Sequence, residues 1–318
     1  VNPAQAPTFA VVIPAYEAAA TIGAAIESLL AQTLPPAEIV VCDDGSRDDL
    51  EGALAPYRDA VTLLRREHRG VAAARNELLR AATADFVVPL DADDVYAPTR
   101  LQRLGELAAA RPELDILATD AVFVSDGRAA GRFGDGSPFA AEGQAEAILD
   151  RCFVICPAMR RRRLLEIGGY DEQLRTAEDW DVCIRLLLTG SAAGLVDEPL
   201  LEYRLGSASL TSSRVETLSA RAYMLEKAAA MAGLSPRLRE AAERAAARQR
   251  ARALEQAARE AVAAGAPGAR RRLLAVAGSS AVPARARLGA LAGAAAPRLL
   301  RRLVEATVSG STGRPSGR

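Results

Sequence analysis

No apolar run in this chain of 318 residues approaches the roughly 20 residues that a bilayer-spanning helix needs, so none is expected. Its start, Val1-Asn2-Pro3-Ala4-Gln5, lacks the basic stretch of a signal peptide. The four cysteines, Cys42, Cys152, Cys156 and Cys183, make no CxxC pair, and three lie in apolar surroundings, which fits buried thiols in a reduced, cytoplasmic setting. Residues 215–308 hold one aromatic, Tyr223, too little to interleave with bases, so no nucleic-acid partner is expected. No internal repeat is present. Net charge is also missing, but only on average: residues 215–308 carry sixteen Arg and one Lys against seven Glu, leaving the front part acidic.

What is there is apolar in about half its residues, enough for a large core and an appendage. Short β-branched runs at 9–13, 38–42, 61–65 and 85–90 alternate with helical spacing, predicting βαβ units around a mostly parallel sheet. Ile22, Ile26, Leu29 and Leu30 form one apolar stripe of a helix. A helix near 97–110, a strand near 115–124 and helices at 160–167 and 177–189 follow. Beyond Thr211 the sequence turns to Ala, Arg, Leu and Glu, predicting helices at 215–262 and 270–306 broken at Gly265-Ala266-Pro267-Gly268 and Pro283. The expected organisation is a flexible start over 1–8, a sheet domain over 9–211, a helical region over 212–308 and a disordered tail over 309–318.

The segment Asp85-Phe86-Val87-Val88-Pro89-Leu90 ends on Asp91-Ala92-Asp93-Asp94. It reads as a buried strand delivering acids to a sheet edge, where their repulsion is costly without a cation. Pro14-Ala15-Tyr16-Glu17 and Asp43-Asp44-Gly45-Ser46 also follow strands directly, and in an open parallel sheet the carboxyl ends of the strands form the ligand crevice. Taken singly, each has a plain reading: a turn capped by Ser46, a packed Tyr16, a solvated acidic loop. Arg75, after Gly70, suits a phosphate or carboxylate, or simply faces solvent. Glu178 and Asp179, beside Trp180, are either helix-start acids or a general base raised by an apolar wall.

In combination, these segments resemble the inverting family 2 glycosyltransferases of GT-A fold. The matching segments are Val11 to Tyr16, Gln32-Thr33, Glu38 to Val41, Asp43 to Asp48, Gly70 to Asn76, Leu90 to Asp94, Gly168 to Glu172 and Glu178-Asp179, covering about 9–205. The resemblance implies a UDP- or dTDP-type sugar donor at Pro14, Tyr16, Glu17, Asp43, Asp44, Arg75, Asp91 and Asp93. It further implies Mn²⁺ or Mg²⁺ at Asp93 and Asp94, with Asp179 as catalytic base and Glu178 beside it raising its pKa. Transfer to an acceptor hydroxyl in glycan, cell-envelope or glycoconjugate synthesis follows.

Two positions depart from the pattern: Glu17 where relatives carry Asn, and Gly206 where a His is common. A sugar-phosphate nucleotidyltransferase would need a Gly-rich basic loop after the first strand, and residues 14–22 contain no Lys or Arg, Gly appearing only beyond them. A non-catalytic sugar-nucleotide or partner-binding protein is the other alternative. In the basic region, Leu299, Leu300, Leu303 and Val304 share a face with Arg298, Arg301 and Arg302 elsewhere; with Arg270-Arg271-Arg272 this suits anionic lipid at the inner membrane face or a protein partner. The simpler reading is a helical appendage with solvated arginines.

Overall fold

The computed structural model describes residues 6–205 and 214–295. The chain divides into two compact units, Val1–Ser209 and Leu210–Arg318. In the first, β1 (Phe9–Ala15), α1 (Ile22–Leu30), β2 (Glu38–Asp43), α2 (Leu50–Leu54), β3 (Thr62–Arg65), α3 (Val71–Ala81) and β4 (Phe86–Pro89) alternate as the periodicity predicts. There follow β5 (Val95–Tyr96), α4 (Arg100–Ala110), β6 (Ile116–Ser125), β7 (Arg128–Arg132), α5 (Phe133–Gly136) and α6 (Gln144–Asp150). The unit ends with β8 (Ile155–Arg160), α7 (Arg161–Glu166), α8 (Glu178–Leu188) and β9 (Ala193–Arg204).

The strands make one sheet in the order β3-β2-β1-β4-β8-β6-β9-β5, with β7 on β6. β1 is buried along most of its length and sits between β2 and β4, parallel to both, which is where a continuous apolar strand belongs. β8 enters antiparallel between β4 and β6, and β6 runs parallel to β9. The buried stripe Ile22, Ile26 and Leu29 of α1 packs with Val11, Ile13, Val88 and Leu104 in the main core, whereas Leu30 is exposed.

Polar clamps fix the segment after the acidic turn. Gln32 Nε2 donates to the Ala97 carbonyl and its Oε1 accepts from Leu101 N–H, so the Gln32-Thr33 pair braces α1 against the start of α4. Arg100 is fully buried, stacks 4.3 Å from the Tyr96 ring and donates to the Cys156 carbonyl at 2.7 Å. The Tyr96 hydroxyl donates to the Pro89 carbonyl at 2.7 Å. These bonds tie β4, β5 and β8 together below the rim.

The second unit contains α9 (Arg214–Ala229), α10 (Pro236–Ala263), α11 (Ala269–Gly278) and α12 (Ala284–Ala295). The single helix expected over 215–262 is two: Gly233 takes φ +74°, Ser235 caps Leu238 N–H and Pro236 opens α10. Small residues let the helices approach, with Ala251, Ala258, Val262, Leu273, Val276 and Ala290 in one core. At the start, Thr8 is pinned by Asp85, whose carboxylate accepts from both its N–H and hydroxyl. Residues 1–5, Gly206, the stretch 296–306 with Arg298, Arg301 and Arg302, and the tail 309–318 lie outside the described residues.

Candidate active site

The turns after β1, β2 and β4 open on the same rim, because these neighbouring strands are parallel. Pro14 is half-buried near the end of β1, and Tyr16 beyond it is 46 % exposed with its ring 4.2 Å from that of His68. Glu17 serves a turn: at φ +53° its N–H donates to Ser46 Oγ and its carboxylate accepts from Arg47 N–H. Asp43 Oδ1 accepts from Ser46 N–H at 2.8 Å. Asp44 is buried and heavily partnered, accepting from Arg69 N–H and Gly70 N–H and facing Arg66 Nε and His68 Nδ1. Its carboxylate therefore shapes the 66–70 loop beside Tyr16. Gly45 must be glycine, since at φ +80° a Cβ would stand 2.8 Å from His68 N.

Gly70, at φ +96°, starts α3, whose small residues Ala72, Ala73 and Ala74 pack closely enough to carry Arg75 inward. The structure places Arg75 at 5 % exposure, where it pairs with Asp91 Oδ1 at 2.8 Å and with Glu178 Oε1. Burial lowers its basicity, but Asp91 and Glu178 outweigh that and leave its pKa above the ordinary value. Asn76 next to it donates to the Tyr170 carbonyl and accepts from Tyr170 N–H. A Cβ on Gly169, which has φ +72°, would meet Asn76 Oδ1 at 2.5 Å. Arg69 adds a 2.5 Å bond to Glu172, and Arg185 holds the Ile167 and Gly169 carbonyls. Two motifs about a hundred residues apart in sequence are thus one structure.

In the acidic turn, Asp94 N–H donates to the Asp91 carbonyl and Asp94 Oδ1 accepts from Arg204 N–H at 2.9 Å. Asp94 is 1 % exposed, and its Oδ2 has no hydrogen-bond partner. Burial, then the charge of Asp91, pushes its pKa up to about 8. Asp93 lies on the exposed side of the turn, also raised by desolvation and then by Asp91. One oxygen each of Asp91 and Asp94 lies within 4.8 Å of the other and of Cys156 Sγ. A buried, partnerless carboxylate oxygen among repelling acids fits a divalent cation, and the oxygen donors suit Mg²⁺ or Mn²⁺.

At the start of α8, Ala177 takes the left-handed conformation at φ +65°, a strained choice that turns Glu178 inward. Burial, opposed by Arg75 and reinforced by Asp179, pushes Glu178 up to about 7. Asp179 is exposed, with Oδ1 accepting from Trp180 N–H at 2.7 Å, while Trp180 is buried and donates to the Ile148 carbonyl. A separate cleft of about 570 Å³, lined by Pro35, Glu38, Arg58 and Thr62, lies at the amino ends of β2 and β3, away from these groups.

A mixed sheet of this order, with acids at the carboxyl end of β4 and helices around it, is the GT-A glycosyltransferase fold. Solved structures agree: Staphylococcus aureus TarS 1-349 in complex with UDP-GlcNAc superposes with a TM-score of 0.65 at 19 % identity, covering 96 % of this chain and 92 % of that one. The mannosyltransferase PcManGT from Pyrobaculum calidifontis, in complex with GDP-Man and Mn²⁺, gives 0.59 at 19 % identity, covering 98 % and 87 %. Residues 10–168, half of the chain, match the model of Glycosyl transferase family 2, and the chain belongs to that family. Among curated relatives, the succinoglycan biosynthesis protein ExoU of Rhizobium meliloti (strain 1021) is 34 % identical over 208 residues, which is 59 % of each chain. The Escherichia coli UDP-Glc:alpha-D-GlcNAc-diphosphoundecaprenol beta-1,3-glucosyltransferase WfgD is 37 % identical over 94 residues, 29 % of this chain and 37 % of WfgD. The match therefore spans less than two thirds of either relative.

Proposed function

We propose that the protein is an inverting, metal-dependent glycosyltransferase that moves a sugar from a nucleotide-diphosphate donor to an acceptor hydroxyl. One observation carries this reading: Arg75 joins Asp91 of the acidic turn to Glu178, the neighbour of Asp179, so leaving-group and base ends share a frame. Tyr16 stacks against the nucleobase of the donor, beside a loop held by Glu17, Asp43 and Asp44. Arg75 acts as a positioning residue. Asp91, Asp93 and Asp94 are the residues that would hold the cation, which supplies charge stabilisation to the departing diphosphate. Asp179, on the exposed side of the α8 start, takes the acceptor proton as the hydroxyl oxygen attacks the anomeric carbon, and Glu178 beneath it fixes its position.

The structures of relatives bound to UDP, UDP-GlcNAc and GDP-Man support a nucleotide-sugar donor, and we favour a UDP or dTDP type. The names of ExoU and WfgD support an acceptor that is a growing or lipid-linked glycan. No helix among the described residues is long and apolar enough to cross a membrane. We place the protein in the cytoplasm, where α11 and α12, with exposed Arg270, Arg271, Arg285 and Leu288 and no acid, could meet anionic lipid at the inner membrane face.

The test is transfer from UDP- and dTDP-sugars with Mn²⁺, Mg²⁺ or chelator, with the product anomer read by NMR. Asp179→Asn is expected to lower transfer about 10²–10⁴-fold while donor binding persists. Near-normal transfer by that variant would remove Asp179 as the base. Donor binding without sugar release in the wild type would favour the non-catalytic alternative.

A further inference from the structure

We infer that Cys156 is a further ligand of the cation site, adding a thiolate to its carboxylates so that the site prefers borderline and soft divalent ions to Mg²⁺. Its Sγ and one oxygen each of Asp91 and Asp94 lie within 4.8 Å of one another. Around a tetrahedral cation, oxygen at about 2.1 Å and sulfur at about 2.3 Å stand about 3.6 Å apart, so side-chain movements of no more than about 1.2 Å close the cluster. Asp94 Oδ1 is taken by Arg204 N–H, which leaves the buried, partnerless Oδ2 for the ion.

The backbone at Cys156 points the same way. It is one of few non-glycine residues with positive φ, at +40°, where the chain enters β8. Its carbonyl is held at 2.7 Å by Arg100, a fully buried side chain stacked on Tyr96, which itself follows the acidic turn. Strained, over-determined positions of this kind gather at ligand sites. The thiol is a free cysteine, so a bound ion takes sulfur as thiolate and the Sγ–H proton passes to solvent. Thiolate among oxygen donors raises affinity for Zn²⁺ and Cd²⁺ above that for Mn²⁺, and leaves Mg²⁺ weakest.

This inference rests on the cation site of the proposed function but is tested without donor or acceptor. Cd²⁺ alone is titrated into the full chain while the ultraviolet cadmium–thiolate charge-transfer band is followed. The expected result is a band saturating at one equivalent, suppressed by excess Mn²⁺ and lost in Cys156→Ser, with Cd²⁺ affinity falling by at least about tenfold. Cys152→Ser, the control, keeps the band. No band in the wild type, or a band unchanged in Cys156→Ser, overturns the inference. If Cys156→Ser does not fold, ¹¹³Cd NMR of the wild type decides: a sulfur-ligated shift supports the inference and an all-oxygen shift sinks it. Mn²⁺-dependent transfer with no band would sink this inference alone; a band with no transfer would sink the transferase reading alone.

Discussion

In residues 6–205 the ionic partners of the site come from distant parts of the chain: Arg75 meets Glu178 and Arg69 meets Glu172, each 103 positions away. In residues 214–295 the pattern is more local, as in Arg244 with Glu240 four positions earlier, and the core is built largely from alanine. A local helix pair contributes only about 0.3–0.5 kcal/mol, whereas breaking a buried pair leaves a charge without solvent or partner. The first unit therefore concentrates its vulnerability at the site, and the second spreads small contributions along its helices.

Four substitutions test that contrast. Arg75→Met strands Asp91 and Glu178 and is expected to cost about 3–5 kcal/mol in urea unfolding; a loss under about 1 kcal/mol would mean that the acids find other partners. Glu178→Gln addresses the same cluster through pH. The folded-state pKa of Glu178 is raised from 4.5 to about 7, so the unfolded chain releases this proton first. Stability of the wild type should fall as pH climbs from about 4.5 to about 7, and the Gln variant should flatten that slope in melts across the range. An unchanged slope would show that another group sets it.

Gly169→Ala forces a side chain into a φ of +72° and against Asn76, for an expected loss of about 1–3 kcal/mol and weaker protection of Tyr170 N–H in hydrogen exchange. In the second unit, Ser235→Ala removes the cap of α10 and should cost about 1 kcal/mol by thermal unfolding. If the Ser235 variant proved more damaging than Arg75→Met, the contrast between the units would be reversed.

Much of this was legible in the residues. β1, β2 and β4 announce themselves because buried parallel strands are continuous apolar runs, and each ends on a polar turn. β9 does not, because Asp197, Glu198 and Pro199 interrupt it and much of it is half-buried; its register comes from β6, about 80 residues earlier. β8 is short, contains Pro157 and lies antiparallel among parallel neighbours, so no local pattern marks it. The break before α10 did carry a signal, Gly233-Leu234-Ser235-Pro236, obscured by the helical composition on both sides.

At the site, motif order brings out Tyr16, Asp44, Asp91, Asp94 and Glu178. It gives no hint that Arg75 is buried, that Glu17 serves a turn, or that Cys156 and Arg100 stand under the acidic turn. Those facts depend on which strands become neighbours, and single residues on β8 and α4 carry no periodicity of their own. Asn76 sits inside a recognised segment, but its bond to Tyr170 exists only after α3 and the 168–172 loop meet.

The bonds Arg69–Glu172, Asn76–Tyr170 and Arg75–Glu178 also have a mechanical meaning. Three rivets, one just before α3 and two side by side in its second turn, leave no hinge between α3 and the segment that feeds α8. To swing that segment outward, all three must shear together, so breathing there is all-or-none and the exposed carboxylate of Asp179 rides on a plate rather than on a flap.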